Sequence, residues 1–162
     1  MMTMLRRKKA QTLIFRLKSS LIKSDVGVVL VRQYRYAIGG YIYEFPAGLV
    51  ESNEEFHEGA VREMYEETGL KFTPLKVDPA FEKPYFTTVG MTDESCATVY
   101  GYAEGEISKD AQEDTEEIEV VLADREEVKR ILREENVAIM CAYQLMHFLQ
   151  DEEPFAFLKE KL

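Results

Sequence analysis

The stretch VGVVLVRQYRY, Val26 to Tyr36, constrains the fold more than any other part of the chain. Its first half is a near-continuous run of β-branched and aliphatic residues without polar alternation. Such a run reads as a buried strand, and the sheet that holds it needs covering elements. Further strand-like segments surround it. TLIFRLK (Thr12–Lys18) precedes it. The paired glycines of AIGG break it, as a turn would. YIYEFPAG (Tyr41–Gly48) alternates again and stops at Pro46, which cannot donate to a ladder. ATVYGYAEG (Ala97–Gly105) and EEIEVVLA (Glu116–Ala123) are two more expected strands.

The cover comes from helical segments. After Gly48 the pattern turns helical, with Ser52 or Asn53 as the expected cap, and with Glu54 and Glu55 suited to the positive end of the helix dipole. Gly69 reads as a left-handed C-terminal cap. ADREEVKRILREE predicts a helix opened by Asp124, with Glu127 as its capping-box partner. NVAIMCAYQLMHFLQ predicts another, opened by Asn136 and ended by Pro154. It is apolar on most sides and expected to be buried in the core or in a subunit interface. Strands mixed with two or three helices predict an α+β chain arranged as an α/β/α sandwich. At 162 residues, without internal repeat or linker, one domain is expected.

Charge and composition exclude several functions. Thirty acidic residues against twenty basic give a formal net charge of −10, which argues against a nucleic-acid partner that needs a basic face. No apolar run approaches the ~18 residues of a spanning helix, so no membrane partner is expected. The cluster Arg6-Arg7-Lys8-Lys9 is followed only by the short AQTLIF, and reads as a solvated terminus. Cys96 and Cys141 lie far apart, with no CxxC and only two histidines. They read as buried thiols of a cytoplasmic protein, and a zinc site has little support.

Gly48–Leu70, GLVESNEEFHEGAVREMYEETGL, carries the chemistry. A helix turns about 100° per residue, so Glu63, Glu66 and Glu67 span roughly a 100° arc. Ala60, Val61 and Met64 fall on the adjoining arc, towards the core. Each acidic pair at this spacing costs about 0.2–0.5 kcal/mol in an isolated helix. A cation relieves that cost. Oxygen-only ligands select a hard ion, Mg²⁺ or Mn²⁺, which keeps several waters and also takes phosphate oxygens. The triplet alone is better explained as a solvated acidic face; the residues around it decide.

Read in full, the stretch resembles the Nudix box, G-x5-E-x7-R-E-U-x-E-E-x-G-U with U aliphatic. Gly48 is followed after five residues by Glu54, and after seven more by Arg62-Glu63-Met64-Tyr65-Glu66-Glu67-Thr68-Gly69-Leu70. Every fixed position matches. The resemblance implies a Nudix-type α/β/α sandwich with a mixed β-sheet, one domain over 1–162, with a short N-terminal arm and strand at 1–25 and the box at 48–70. It implies that Glu63, Glu66, Glu67 and the carbonyl of Ala47 hold Mg²⁺ (or Mn²⁺). Arg62 would orient them, often by pairing with Glu54, and Arg62 and Glu66 would count among the catalytic groups. The implied reaction is hydrolysis of a nucleoside diphosphate linked to another moiety.

VRQYRY (Val31–Tyr36) and YEFPAGLVE (Tyr43–Glu51) resemble the ADP-ribose and nucleoside-diphosphate-sugar pyrophosphatases of this superfamily. That resemblance implies Arg32 and Arg35 as substrate-binding residues, with Arg35 near the diphosphate, and Glu44 at the edge of the site. TTVGMTDES (Thr87–Ser95) stands where that group carries a Ser-Pro-Gly-type loop, with Val89 in place of the proline; Asp93 or Glu94 would accept from a ribose hydroxyl. The general base is expected in KDAQEDTEEIEVV, with Glu116 first and Glu113, Asp114 and Glu117 as rivals. Members of this type usually carry a longer N-terminal portion, and a homodimer is expected through the N-terminal strand or the Val137–Gln150 helix. The alternatives are a different Nudix substrate, such as a damaged nucleoside triphosphate or a dinucleoside polyphosphate, and a nucleotide-sugar sensor without turnover.

Overall fold

The computed structural model describes residues 8–14, 27–112, 117–150, 152–153 and 155–159. In chain order the elements are β1 (Lys8–Ile14), β2 (Val28–Arg35), β3 (Gly40–Glu44), β4 (Ala47–Leu49), α1 (Phe56–Thr68), β5 (Lys71–Pro74), α2 (Pro79–Glu82), β6 (Tyr85–Phe86), β7 (Ser95–Glu104), β8 (Ile118–Ala123), α3 (Arg125–Glu134) and α4 (Ile139–Gln150), with a 3₁₀ turn at Ala156–Lys159. One sheet runs β4-β1-β7-β5, with β6 also on β7, and the other runs β3-β2-β8. The first is mixed, because β1 is parallel to β7 while its other pairs are antiparallel.

The first half of β2, Val28 to Val31, is buried on both faces, as its composition requires. Val28 and Leu30 pack with Tyr43, Val128, Ile131, Leu145 and Phe148, beneath α3 and α4. Val29, one residue out of phase, packs with Ala60, Met64, Leu70, Phe72 and Val99, beneath α1. Each such side chain is worth about 1.5–3 kcal/mol of burial. The result is an α+β sandwich with helices on two sides.

Several boundaries differ from the sequence reading. The N-terminal strand is Lys8–Ile14, and Phe15–Lys18 lie outside the described residues. The Tyr41–Gly48 segment is two strands. β3 ends at Glu44, and after Pro46 the chain joins the other sheet as β4. Ser52 and Asn53 lie in a turn, and α1 starts at Phe56 with Glu55 as its N-cap. Carboxylates do the capping there: Glu58 accepts from the Glu55 N–H at 3.1 Å. Val61 is exposed, while Ala60 and Met64 are buried.

Asp124 caps α3 through Oδ1, 2.9 Å from the Glu127 N–H, but the Glu127 carboxylate pairs with Arg130. Asn136 does not open α4. The chain pairs with β3 there: Tyr43 N–H donates to Asn136 O at 2.9 Å, and Ala138 N–H to Tyr43 O at 3.0 Å. α4 buries Cys141, Leu145 and Phe148, and leaves Ile139, Tyr143 and Met146 exposed as an apolar outer stripe. Pro154 lies outside the described residues. Both cysteines are buried. Among the described residues no helix is long and apolar enough to cross a membrane.

Candidate active site

α1 presents its acids beside β4. Gly59, Ala60, Met64 and Thr68 form its inner face, which fixes the helix rotation. A Cβ on Gly48 would land within the Glu63 carboxylate, so glycine leaves that carboxylate its place against β4. Gly69 turns the chain out of the helix at φ 76°, with its N–H on Tyr65 O at 2.8 Å.

Arg62 is the hub of the cluster. Nε and Nη2 donate to Glu54 Oε1 and Oε2 at 2.9 and 3.0 Å, a two-pronged pair. Nη1 donates to Glu63 Oε1 at 2.9 Å and to Glu66 Oε2 at 2.8 Å. Nη2 also reaches Leu49 O at 3.0 Å, which ties the fan to β4. The Glu54 hydrogen bonds, more than any other contact, hold the Arg62 pKa above its ordinary value. Reciprocally, the Arg62 guanidinium holds the Glu54 carboxyl below the usual carboxylate range.

Glu67 stands apart. It is 4% exposed, and its Oε2 accepts from the Ala47 N–H at 3.2 Å. The structure thus sets the Glu63 carboxylate against Gly48 and the Glu67 carboxylate on the Ala47 N–H, while Glu66 joins the cluster through Arg62, with Glu54 on the other side of the guanidinium. Among the described residues no three acids close into a ready-made cage; Arg62 engages Glu63 and Glu66 instead. The donors are all oxygen. That set suits Mg²⁺ or Mn²⁺, which are held by one or two carboxylates and complete their shell with water and phosphate oxygens. The Glu63 carboxylate lying against Gly48, and the buried carboxylate at Glu67, are oxygen donors that fit such an ion.

Ala47 also lines a neighbouring cleft of about 190 Å³ with Arg35, Glu44, Glu94, Gln33 and Thr87. Glu44 Oε2 accepts from Arg35 Nε and Nη2 at 2.9 and 2.7 Å, and from Gln33 Nε2 at 2.8 Å. Glu94 Oε1 accepts from the Thr87 hydroxyl at 3.1 Å, closing the base of its loop. Arg35, Glu44, Glu94 and Ala47 are therefore brought together.

Arg32 is not among the residues of this cleft. It is three residues from Arg35 and so on the opposite face of β2. There it pairs with Glu119 at 3.1 Å and lies over the Tyr41 ring at 4.2 Å. Glu116, with Glu113 and Asp114, lies outside the described residues, while Glu117 is exposed just before β8. Asp93 is half-buried beside Glu94. Gln33 was missed by the sequence reading, although strand period two already sets it on the Arg35 face. Gln112 was missed as well: its side chain reaches the carbonyl of Glu67, and no spacing signals that contact.

The chain is similar to known proteins in fold and in sequence. A crystal structure of a NUDIX-family hydrolase from Clostridium perfringens is similar over 92% of this chain and 99% of that one, with a TM-score of 0.62 at 19% identity, a likeness of fold. A putative nudix hydrolase 2 from Caenorhabditis elegans is 33% identical over 60% of this chain and 45% of its own length. An ADP-sugar pyrophosphatase from Mus musculus is 45% identical over 33% of this chain and 24% of its own. An ADP-ribose pyrophosphatase from Bacillus subtilis is 37% identical over 46% and 38%. The chain thus spans less than half the length of these curated relatives. Residues 16–142 match the model of the NUDIX domain, the acid-bearing helix and its two glycines included, and the chain belongs to that family.

Proposed function

We propose that this Nudix domain hydrolyses the diphosphate bond of ADP-ribose or a related nucleoside diphosphate sugar, giving a nucleoside monophosphate and a sugar phosphate, with Mg²⁺ or Mn²⁺ bound. The observation that carries the reading is the place of Ala47. It touches Glu67 of the acidic cluster and also lines the cleft that holds Arg35, so a cation site and an anion site share one wall. The names of the mouse and Bacillus subtilis relatives support the substrate class.

Glu63, Glu66, Glu67 and the Ala47 carbonyl would hold the ion. When bound, it supplies charge neutralisation at the diphosphate oxygens and acidifies water near neutral pH. The chain's own residues do the rest. Arg35 offers positive charge to the diphosphate, and Glu44 fixes its direction through two hydrogen bonds. Gln33 holds Glu44 from the other side. Arg62 limits repulsion among the acids until the ion arrives. Glu94 faces the cleft, where an acceptor for a ribose hydroxyl belongs. A carboxylate of the Glu113–Glu117 run, Glu116 first, takes the proton from water; such a base works at about 2.6–3.2 Å.

With Mg²⁺, ADP-ribose is expected to give AMP and ribose 5-phosphate in equal amounts, read by anion-exchange chromatography. Cleavage of nucleoside triphosphates or dinucleoside polyphosphates, with sugar nucleotides left intact, would replace the substrate class. Tight ADP-ribose binding by calorimetry without turnover would replace the enzyme by a sensor.

The same reading includes a homodimer through the outer stripe of α4, Ile139, Tyr143 and Met146. Sedimentation is expected to show a dimer that Tyr143→Glu converts to monomer. A wild type that sediments as a monomer at every concentration used in the assay removes this part of the reading.

A further inference from the structure

The loop between β7 and β8 packs on the C-terminal end of α1. The last turn of a helix leaves carbonyls without intrahelical donors. Ser108 N–H donates to Thr68 O at 3.1 Å. The Glu67 carbonyl takes its donor from a side chain, Gln112 Nε2, at 2.7 Å. The same nitrogen reaches Ile118 O, in the first residue of β8, at 3.3 Å. One side-chain amide thus ties the end of the acid-bearing helix to the start of β8.

The turn that delivers this amide is braced. Asp110 N–H donates to Ser108 Oγ at 3.1 Å, and Gln112 N–H to Lys109 O at 3.1 Å. Its fit on α1 is close: a Cβ on Gly69 would come within 2.7 Å of the Ser108 nitrogen. Glu67 is therefore gripped twice, at its carboxylate by the Ala47 N–H and at its carbonyl by Gln112. Gln112 lies far outside the 48–70 motif.

We infer that Gln112 is a positioning residue: its amide pins the α1 terminus against β8 and so sets the direction in which the Glu67 carboxylate meets a divalent ion. The inference rests on the hydrolase reading above. Gln112 acts through Glu67. A shift of about 1 Å at a reacting centre costs on the order of a hundredfold in rate, so a latch on the backbone of a ligating residue carries weight beyond its own hydrogen bonds.

The test compares wild type, Gln112→Glu, Gln112→Lys and Glu67→Gln. The glutamate keeps the shape of Gln112, but ionised it has no proton to donate and faces two carbonyl oxygens. The lysine restores a donor of similar reach. Mn²⁺ binding is followed by electron paramagnetic resonance, and kcat and KM by ADP-ribose hydrolysis. Gln112→Glu is expected to weaken Mn²⁺ binding and lower kcat, each by on the order of tenfold to a hundredfold, with KM within about twofold. Gln112→Lys is expected to recover most of both. A Gln112→Glu protein that binds Mn²⁺ and turns over like wild type overturns the inference, as does a Gln112→Lys protein no better than the glutamate. Wild type that neither binds Mn²⁺ nor hydrolyses, and so matches Glu67→Gln, overturns the hydrolase reading and this inference together. Wild type that does both beside an unimpaired Gln112→Glu overturns the inference alone.

Discussion

Glu67→Gln will slow hydrolysis by on the order of a thousandfold, about 4 kcal/mol of barrier, and the protein will remain folded. Glutamine has the shape of glutamate, and its amide oxygen can accept from the Ala47 N–H as the Glu67 Oε2 does at 3.2 Å. What leaves is the charge. A solvated acidic face would turn all its carboxylates outward, yet Glu67 is 4% exposed. A carboxylate kept out of water gains from a cation more than a surface one does, and is costly without it. The metal-free Glu67→Gln protein should therefore melt no lower than metal-free wild type, and the rise in Tm that Mg²⁺ gives wild type should largely vanish. Thermal melts with and without Mg²⁺, beside kcat at saturating Mg²⁺, measure both effects. A rate within about tenfold of wild type, or an undiminished Mg²⁺ shift, would remove Glu67 from the ion.

The features legible in the sequence are those whose cause is local or two-sided. Val28–Val31 announced a strand covered on both faces because burial on both faces removes polar alternation, and Val28, Leu30 and Val29 do divide between two cores. Gly69 announced its left-handed turn because few other residues take φ near 76°. The features that were misread depend on partners distant in the chain. Ser52 and Asn53 outrank glutamate as caps in general, yet the turn before α1 serves Glu54, whose Oε2 takes the Glu51 N–H at 3.1 Å as well as Arg62. Pro46 marked a break, but no periodicity tells the chain to leave one sheet for the other there. β5 and β6, four and two residues long, are too short for periodicity to register.

The site divides along the same line. The Arg62 fan was expected from the resemblance to the Nudix box; only its Glu66 contact, four residues on in the same helix, has a direction that spacing fixes. Arg32 and Arg35 were grouped by a short motif, although period two already separates them onto opposite faces of β2. Gln33 and Gln112 carry no charge, and although period two sets Gln33 on the Arg35 face, both acquire their roles only when β3, β8 and α1 assemble around them. The cleft is a tertiary product: Arg35, Ala47, Thr87 and Ala138 reach it from four separate segments.

Arg62→Ala will weaken activity and stability together, and Mg²⁺ will return part of the stability. Arg62 gives hydrogen bonds to Glu54, Glu63, Glu66 and the Leu49 carbonyl. Without it those carboxylates lose the guanidinium that stands between them. Breaking a fully buried pair costs about 3–5 kcal/mol; the Arg62 side chain is 28% exposed, and solvent screening lowers the expected loss to roughly 2–3 kcal/mol, or about 4–12 °C in Tm for a chain of this size. The rate should fall by up to about a hundredfold, the usual scale for a group that orients ligands. The loss has a pH signature. Arg62 lowers the Glu54 pKa from its ordinary 4.5, so the stability this pair contributes is complete above that value and disappears as pH falls through the depressed folded pKa. The Tm gap between wild type and Arg62→Ala should therefore be widest near neutrality and narrow as the pH is taken below about 4. Mg²⁺ should raise the Tm of the variant more than that of wild type, because the ion takes the place of the guanidinium among the acids. A gap of constant size down to acid pH would mean that Arg62 stabilises by packing alone. An equal Mg²⁺ shift in the two proteins would mean that ion and arginine do not share those carboxylates.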